Sequence, residues 1–141
     1  MKYFVPILLA GLALLTGCNK TDHCGCVPPP FEESSWKITS IEGGVAGTIK
    51  TLTEDQKNTI ITFKENGSFT ANNTNTGATI NGTVGMQNFQ SIYGDRPKIT
   101  FTPKLPMLDN DYFVLLENPN GKQVWGDNVL DGYRITITAQ P

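Results

Sequence analysis

Ile61-Thr62-Phe63-Lys64-Glu65-Asn66-Gly67-Ser68-Phe69-Thr70-Ala71 alternates apolar and polar residues on both sides of an Asn-Gly pair. Ile61 and Phe63 share one face opposite Thr62 and Lys64, and Phe69 and Ala71 continue that face on the return, the period of two that a half-buried strand requires. Asn-Gly between two such runs is the strongest short hairpin signal, because both central residues of the tight turn must take positive φ. The stretch predicts two antiparallel strands with one buried face.

The same period extends outward in both directions. Upstream, Trp36, Ile38 and Ser40 share a face opposite Lys37 and Thr39. Downstream, residues 78–86, 89–93, 98–102, 111–117, 122–125 and 133–139 are further strand candidates, about nine in all. They are separated by turn chemistry at Gly94-Asp95-Arg96-Pro97, Asn118-Pro119-Asn120-Gly121 and Asp131-Gly132. These connections are too short for parallel crossovers, so neighbouring strands are antiparallel. Helical periodicity is nearly absent. One short helix is expected where Thr53 and Gln56 stand in capping-box spacing, after the glycine-rich loop of residues 43–47. A run of short antiparallel strands must hide its edges, and closure into a barrel of about eight strands removes them altogether. A two-sheet sandwich is the alternative.

The aromatic residues Trp36, Phe63, Phe69, Phe101, Tyr112 and Tyr133 fall on the apolar faces of their strands. They either fill the barrel or line a ligand cup. Tyr112-Phe113-Val114-Leu115-Leu116 is apolar on both faces. If Tyr112, Val114 and Leu116 point inward, Phe113 and Leu115 point out and need a cover: the tether, the short helix or a protein partner.

The chain opens with Met1-Lys2, followed by thirteen largely apolar residues, 3–15, and then Leu15-Thr16-Gly17-Cys18. A charged start and a short apolar run describe an export signal, and thirteen residues fall short of the roughly 20 that cross a bilayer as a helix. The Leu-Thr-Gly-Cys end resembles the lipobox of bacterial lipoproteins. That resemblance implies cleavage before Cys18, diacylglycerol on its thiol, acylation of the new amino terminus, and a membrane anchor. With Asn19 in place of the aspartate that retains such proteins at the inner membrane, it also implies the outer membrane.

Residues 18–34 read as a lipidated, flexible tether. Pro28-Pro29-Pro30 favours extended polyproline geometry, and sixteen residues at about 3.1 Å each reach roughly 50 Å. The tether holds the only histidine and the remaining cysteines, in His23-Cys24-Gly25-Cys26. Structural zinc wants four ligands on a defined frame, and no fourth ligand is nearby. In an oxidising compartment a local or intermolecular disulfide competes with free thiols.

Residues 35–141 leave about 105 residues for one domain, enough to bury about 60–65% of its unfolded surface. The formal charge is -2, and the basic residues are scattered singly. Without a clustered basic face the chain has no footprint for nucleic acid. Nucleophilic hydrolysis needs a base beside the nucleophile, and the 35–141 body holds neither histidine nor cysteine. Asp109 and Asp111, flanking Asn110, read as turn formers rather than a carboxylate pair, and no calcium loop of the EF-hand type surrounds them. Gly43-Gly44 and Gly47 lack the lysine of a phosphate-cradling loop. No catalytic residue, metal site or cofactor is expected.

Trp36-Lys37-Ile38 leading to Gly43-Gly44, Ile61-Thr62-Phe63 with Asn66-Gly67-Ser68-Phe69, the Gly82-Thr83 strand and the closing Asp131-Gly132-Tyr133 resemble small lipocalin-like lipoproteins of Bacteroidetes-type bacteria. The resemblance covers residues 35–138 and implies an all-β, antiparallel, up-and-down barrel of the lipocalin kind. It departs at Gln123-Val124-Trp125-Gly126, where a leucine-rich strand is usual. The implied function is non-catalytic binding of a small apolar ligand at the barrel mouth, with Trp36, Tyr112, Trp125 and Tyr133 as candidate contacts. The alternative is a protein-interaction or inhibitor module of the cell envelope with a solid core, its partner meeting Phe113 and Leu115.

Overall fold

The computed structural model describes residues 33–44 and 47–141. The leader of residues 1–17, Cys18, the cluster from His23 to Cys26 and the tether up to residue 32 lie outside the described residues. In chain order the elements are β1 (Ser34–Gly43), β2 (Thr48–Lys50), α1 (Glu54–Asn58), β3 (Thr59–Phe63), β4 (Ser68–Asn73), β5 (Thr79–Ser91), β6 (Gly94–Thr102), β7 (Tyr112–Glu117), β8 (Lys122–Gly126) and β9 (Tyr133–Ala139).

Every pairing is antiparallel, and the strands form a single sheet. One edge of β1 takes β3 through Trp36↔Ile61, and the other takes β9 through Ile38↔Ile137. From β3 to β9 each strand pairs with the next, so the sheet returns to β1 as a ring. Closure satisfies the edges that a meander would otherwise expose. β2 stands outside the ring, paired only with β1 through Glu42↔Ile49.

The hairpin that decides the fold is in place, with Phe63 opposite Phe69 and Ile61 opposite Ala71. Its turn differs from the expected one. Gly67 takes φ 77, whereas Asn66 does not take positive φ. The Asn66 side chain instead accepts from the Ser68 backbone N–H at 2.9 Å, a local bond that asparagine makes in turns. Thr53 caps α1 as expected: its hydroxyl accepts from Gln56 N, and Gln56 Oε1 accepts from Thr53 N.

The expected turn at residues 94–97 is strand. The two expected strands at 78–86 and 89–93 merge into the long β5, which ends at Ser91, and β6 begins at Gly94. The true turn is Ile92-Tyr93. Ser91 makes it, its hydroxyl donating to Gly94 O at 2.7 Å and accepting from Tyr93 N at 3.0 Å, with Gly94 at φ 84. Pro97 lies inside β6 opposite Asn88.

The inside of the ring is packed. Ile61, Phe63, Phe69, Ile99, Phe101, Phe113, Trp125 and Ile137 are all buried in one cluster. Phe101 is its centre, with ring centroids 5.2 Å from Phe69, 5.6 Å from Trp125, 6.2 Å from Phe63 and 6.4 Å from Phe113. Edge-to-face and tilted pairs of this kind add about 0.5–1.5 kcal/mol each beyond area burial.

The register of β7 is opposite to the expected one. Phe113 and Leu115 belong to the interior cluster, and Tyr112 lies outside it. Phe113 stands opposite Ile99, and Leu115 opposite Trp125. Those inward neighbours decide the face, which a strand apolar on both sides cannot decide alone. Val114 faces away from the core and is still fully buried. Phe89 stacks edge-on against Tyr112 at 5.6 Å, Arg96 donates to Leu116 O, and Ile92 N donates to Asn128 Oδ1. These contacts lay the outer half of the β5–β6 hairpin across β7 toward the β8–β9 connection. The chain covers its own second apolar face.

Candidate functional site

With the interior filled, open space lies at the margins of the ring. One small cavity of about 170 Å³ sits beside α1, walled by Ala71, Ile80, Met107 and Pro106, with Asp55 and Asn73 at its polar side. The polar groups there serve the fold: Asn73 Nδ2 donates to Asp55 Oδ1 at 2.9 Å, and Asn73 Oδ1 accepts from the N–H groups of Asn75 and Thr76. Gln56, buried in α1, donates to Met107 O at 3.0 Å and ties the helix to the 103–111 connection.

The larger space is a cleft of about 310 Å³ where three segments converge: residues 42–44 with Gly47, the tip Ile92-Tyr93, and residues 129–132 with Arg134. It lies against the outside of the ring. Ile41 and Ile135 are a register pair in the core, so their neighbours Glu42 and Arg134, paired to each other, face away from it. Gly43 lets the chain turn here at φ 143. A side chain at this position would place its Cβ 2.4 Å from Gly132 O. Only glycine permits that approach between β1 and the start of β9.

The tips around the cleft are fastened. Asn128 Oδ1 accepts from Ile92 N at 2.8 Å, Gly132 N donates to Val129 O at 3.1 Å, and Asp127 Oδ2 accepts from Tyr133 N at 3.0 Å. Asn110 Nδ2 donates to the other oxygen of Asp127. The apolar side chains held up by this network are open to solvent. Among the described residues the exposed large apolar side chains are Ile49, Ile92, Val129, Leu130 and Tyr133, with Leu130 86% and Ile49 77% exposed. Three of them wall the cleft, Ile49 flanks it on β2, and Tyr133 lies on the other, core-facing side of β9. Scattered exposed apolar residues are ordinary, but four of these gather on one rim, as apolar side chains do at contact sites.

The four aromatic residues expected at a ligand are not gathered. Trp125 is fully buried between Phe101 and Phe113, and its indole N–H donates to Gln123 Oε1 at 2.9 Å. Trp36 is buried in the same core, donating to Ser34 Oγ at 2.8 Å. Tyr112 is on the outer face, with the Lys98 ammonium 4.4 Å from its ring centroid. Tyr133 stands at the start of β9 on the core-facing side of the ring, with the Lys50 ammonium 5.0 Å from its ring centroid. None of the four lines either cavity. Asp111 accepts from Lys104 Nζ at 3.3 Å, and Lys104 also donates to Asp109 O, contacts that organise the connection before β7.

The rim residues Ile92, Val129 and Leu130 were not singled out in the sequence. A signal was present in Asn128-Val129-Leu130-Asp131-Gly132, where two adjacent aliphatics sit among turn formers. Among the described residues no group of three or more His, Cys, Asp or Glu side chains stands close enough to hold a metal ion. No described helix is long and apolar enough to cross a membrane. Comparison with family models, curated proteins and solved structures returned no significant match.

Proposed function

We propose that the chain is a membrane-anchored, non-catalytic lipoprotein of the cell envelope. Its body would be a lipocalin-like up-and-down barrel serving as a solid scaffold for a contact surface. The observation that carries this reading is the interior: Phe101 and its four aromatic neighbours occupy the space in which a lipocalin cup would open. An eight-stranded barrel has room for side chains or for one small ligand, and here side chains take it. What remains for recognition is the outside, where the apolar rim lies.

The anchor rests on Leu15-Thr16-Gly17-Cys18 closing a short apolar leader, with Asn19 favouring the outer membrane. More than one acyl chain makes such an anchor effectively permanent. Cys18→Ser tests it: fatty-acid labelling should vanish and the precursor should stay uncleaved. Continued labelling would sink the lipoprotein reading.

The second reading, a carrier of a small apolar ligand, is favoured by the cleft walled by Ile92, Val129 and Leu130, whose volume reaches the lower end of ordinary ligand pockets at about 300 Å³. Native mass spectrometry of the protein purified from its own membranes separates the two. The scaffold reading predicts no small molecule beyond the covalent acyl chains. A stoichiometric apolar guest would establish the carrier.

A further inference from the structure

The exposed rim calls for an occupant, and on the reading just given a bilayer is always within reach. From Cys18 to Ser34 the chain has sixteen peptide steps, a span of up to about 55 Å when extended. β1 has ten residues, about 33 Å of strand, with Ser34 at one end and the rim residue Gly43 at the other. The tether therefore outreaches the body, and the rim can be laid on the membrane that holds the anchor.

We infer that the rim formed by Ile92, Val129, Leu130 and Ile49 inserts into the outer layer of that bilayer as a second membrane contact. Its side chains stand at the tip of a hairpin, in a tight connection and on a three-residue edge strand, so they project outward rather than line a flat face. The bonds from Ile92 N to Asn128 and from Tyr133 N to Asp127 hold the tips in place before contact, so little order is left to impose on binding. Glu42 and Asp131 line the same cleft as Arg134, which leaves no net positive field. The lipid chemistry that fits is zwitterionic, and the contact is apolar and insensitive to salt. This inference rests on the anchored reading and goes beyond it by naming what the rim touches.

The test places a reporter at the tip. Leu130→Trp in the full lipidated protein is reconstituted into phosphatidylcholine vesicles containing brominated phosphatidylcholine, which quenches indoles by contact. The native Trp36 and Trp125 are buried and serve as an internal baseline. Asn120→Trp, in the turn between β7 and β8, is the control. The inference predicts that the L130W fluorescence is largely lost to bromolipid, unchanged in high salt, while N120W is spared. An L130W indole that stays open to aqueous iodide in vesicles overturns the inference, even though the protein floats with the lipid and the anchor stands. Shielding of that indole only in native membranes would mean a protein partner and would overturn it too. Protein left in the aqueous phase would contradict the anchor itself and the second contact with it.

Discussion

Gln123 accepts the Trp125 indole N–H through Oε1 at 2.9 Å inside an otherwise apolar interior, while its own Nε2 meets no partner among the described residues. The pair lies on one face of β8, Gln123 opposite Ile137 and Trp125 opposite Ile135. An unmet buried donor costs about 1–3 kcal/mol, comparable to what the indole hydrogen bond returns.

Gln123→Met removes the orphaned amide but also takes the acceptor from the Trp125 indole N–H, exchanging one unmet buried donor for another, so its stability should lie within about 1 kcal/mol of wild type in urea melts. Gln123→Glu should be far worse at neutral pH. Burial raises a carboxyl above its unfolded value of about 4.3, so the loss is present above that value and is relieved as the pH falls below it. Each comparison is made against wild type at the same pH. A Gln123→Glu variant equally stable at pH 7 and pH 4 relative to wild type would mean that the side chain is not enclosed.

Two glycines separate steric from conformational demand. At Gly82 a Cβ would stand 2.3 Å from Thr102 O and 2.7 Å from Phe69 Cε1, whereas Gly77, at φ 73, has open space around it. Gly82→Ala must displace backbone between β5 and β6 and should cost about 3 kcal/mol, the upper range of overpacking. Gly77→Ala should cost about 1 kcal/mol from its left-handed backbone alone. Thermal melts of the two variants give the comparison, and equal losses would refute the close approach.

The capping box of α1 predicts a graded series. Thr53→Ala should cost about 1 kcal/mol. Gln56→Ala should cost about 1–3 kcal/mol, because it also strips the donor from Met107 O. Lys57, bonded to Glu54 at 2.8 Å, holds the Glu54 carboxyl below its ordinary 4.5, with Asn58 assisting. Its contribution is therefore complete above 4.5 and fades as the pH falls through the lowered value. In Lys57→Ala the Glu54 titration, followed by NMR, should move back up toward 4.5.

How much of this was legible in the sequence depended on whether local chemistry met competition. The hairpin around Asn66-Gly67 and the Thr53 cap were readable because their signals are local and their apolar faces unambiguous. β7 was not: Tyr112-Phe113-Val114-Leu115-Leu116 offers two apolar faces, and the choice falls to Ile99 and Trp125 across the ladder. Gly94-Asp95-Arg96-Pro97 carries the residues of a turn, yet the Ser91 side chain forms the turn earlier. Trp125 looked like a mouth residue because nothing in its neighbours says how deep β8 lies. Isolated aliphatics in loops are ordinary, and only the fold brings Ile92 beside Val129 and Leu130.

The central claim is that the ring is solid, and Phe101 is where it is tested. Its ring meets Phe63, Phe69, Phe113 and Trp125, so Phe101→Ala should open a void that its neighbours fill only in part. Chemical denaturation of Phe101→Ala beside wild type, each with a fluorescent fatty acid present and absent, is the direct measurement. A filled ring predicts a loss of about 3–5 kcal/mol and no fatty-acid uptake by wild type beyond the rim. A variant of wild-type stability that takes up more or less of the fatty acid would show that Phe101 lines a cup, and the solid scaffold would be contradicted.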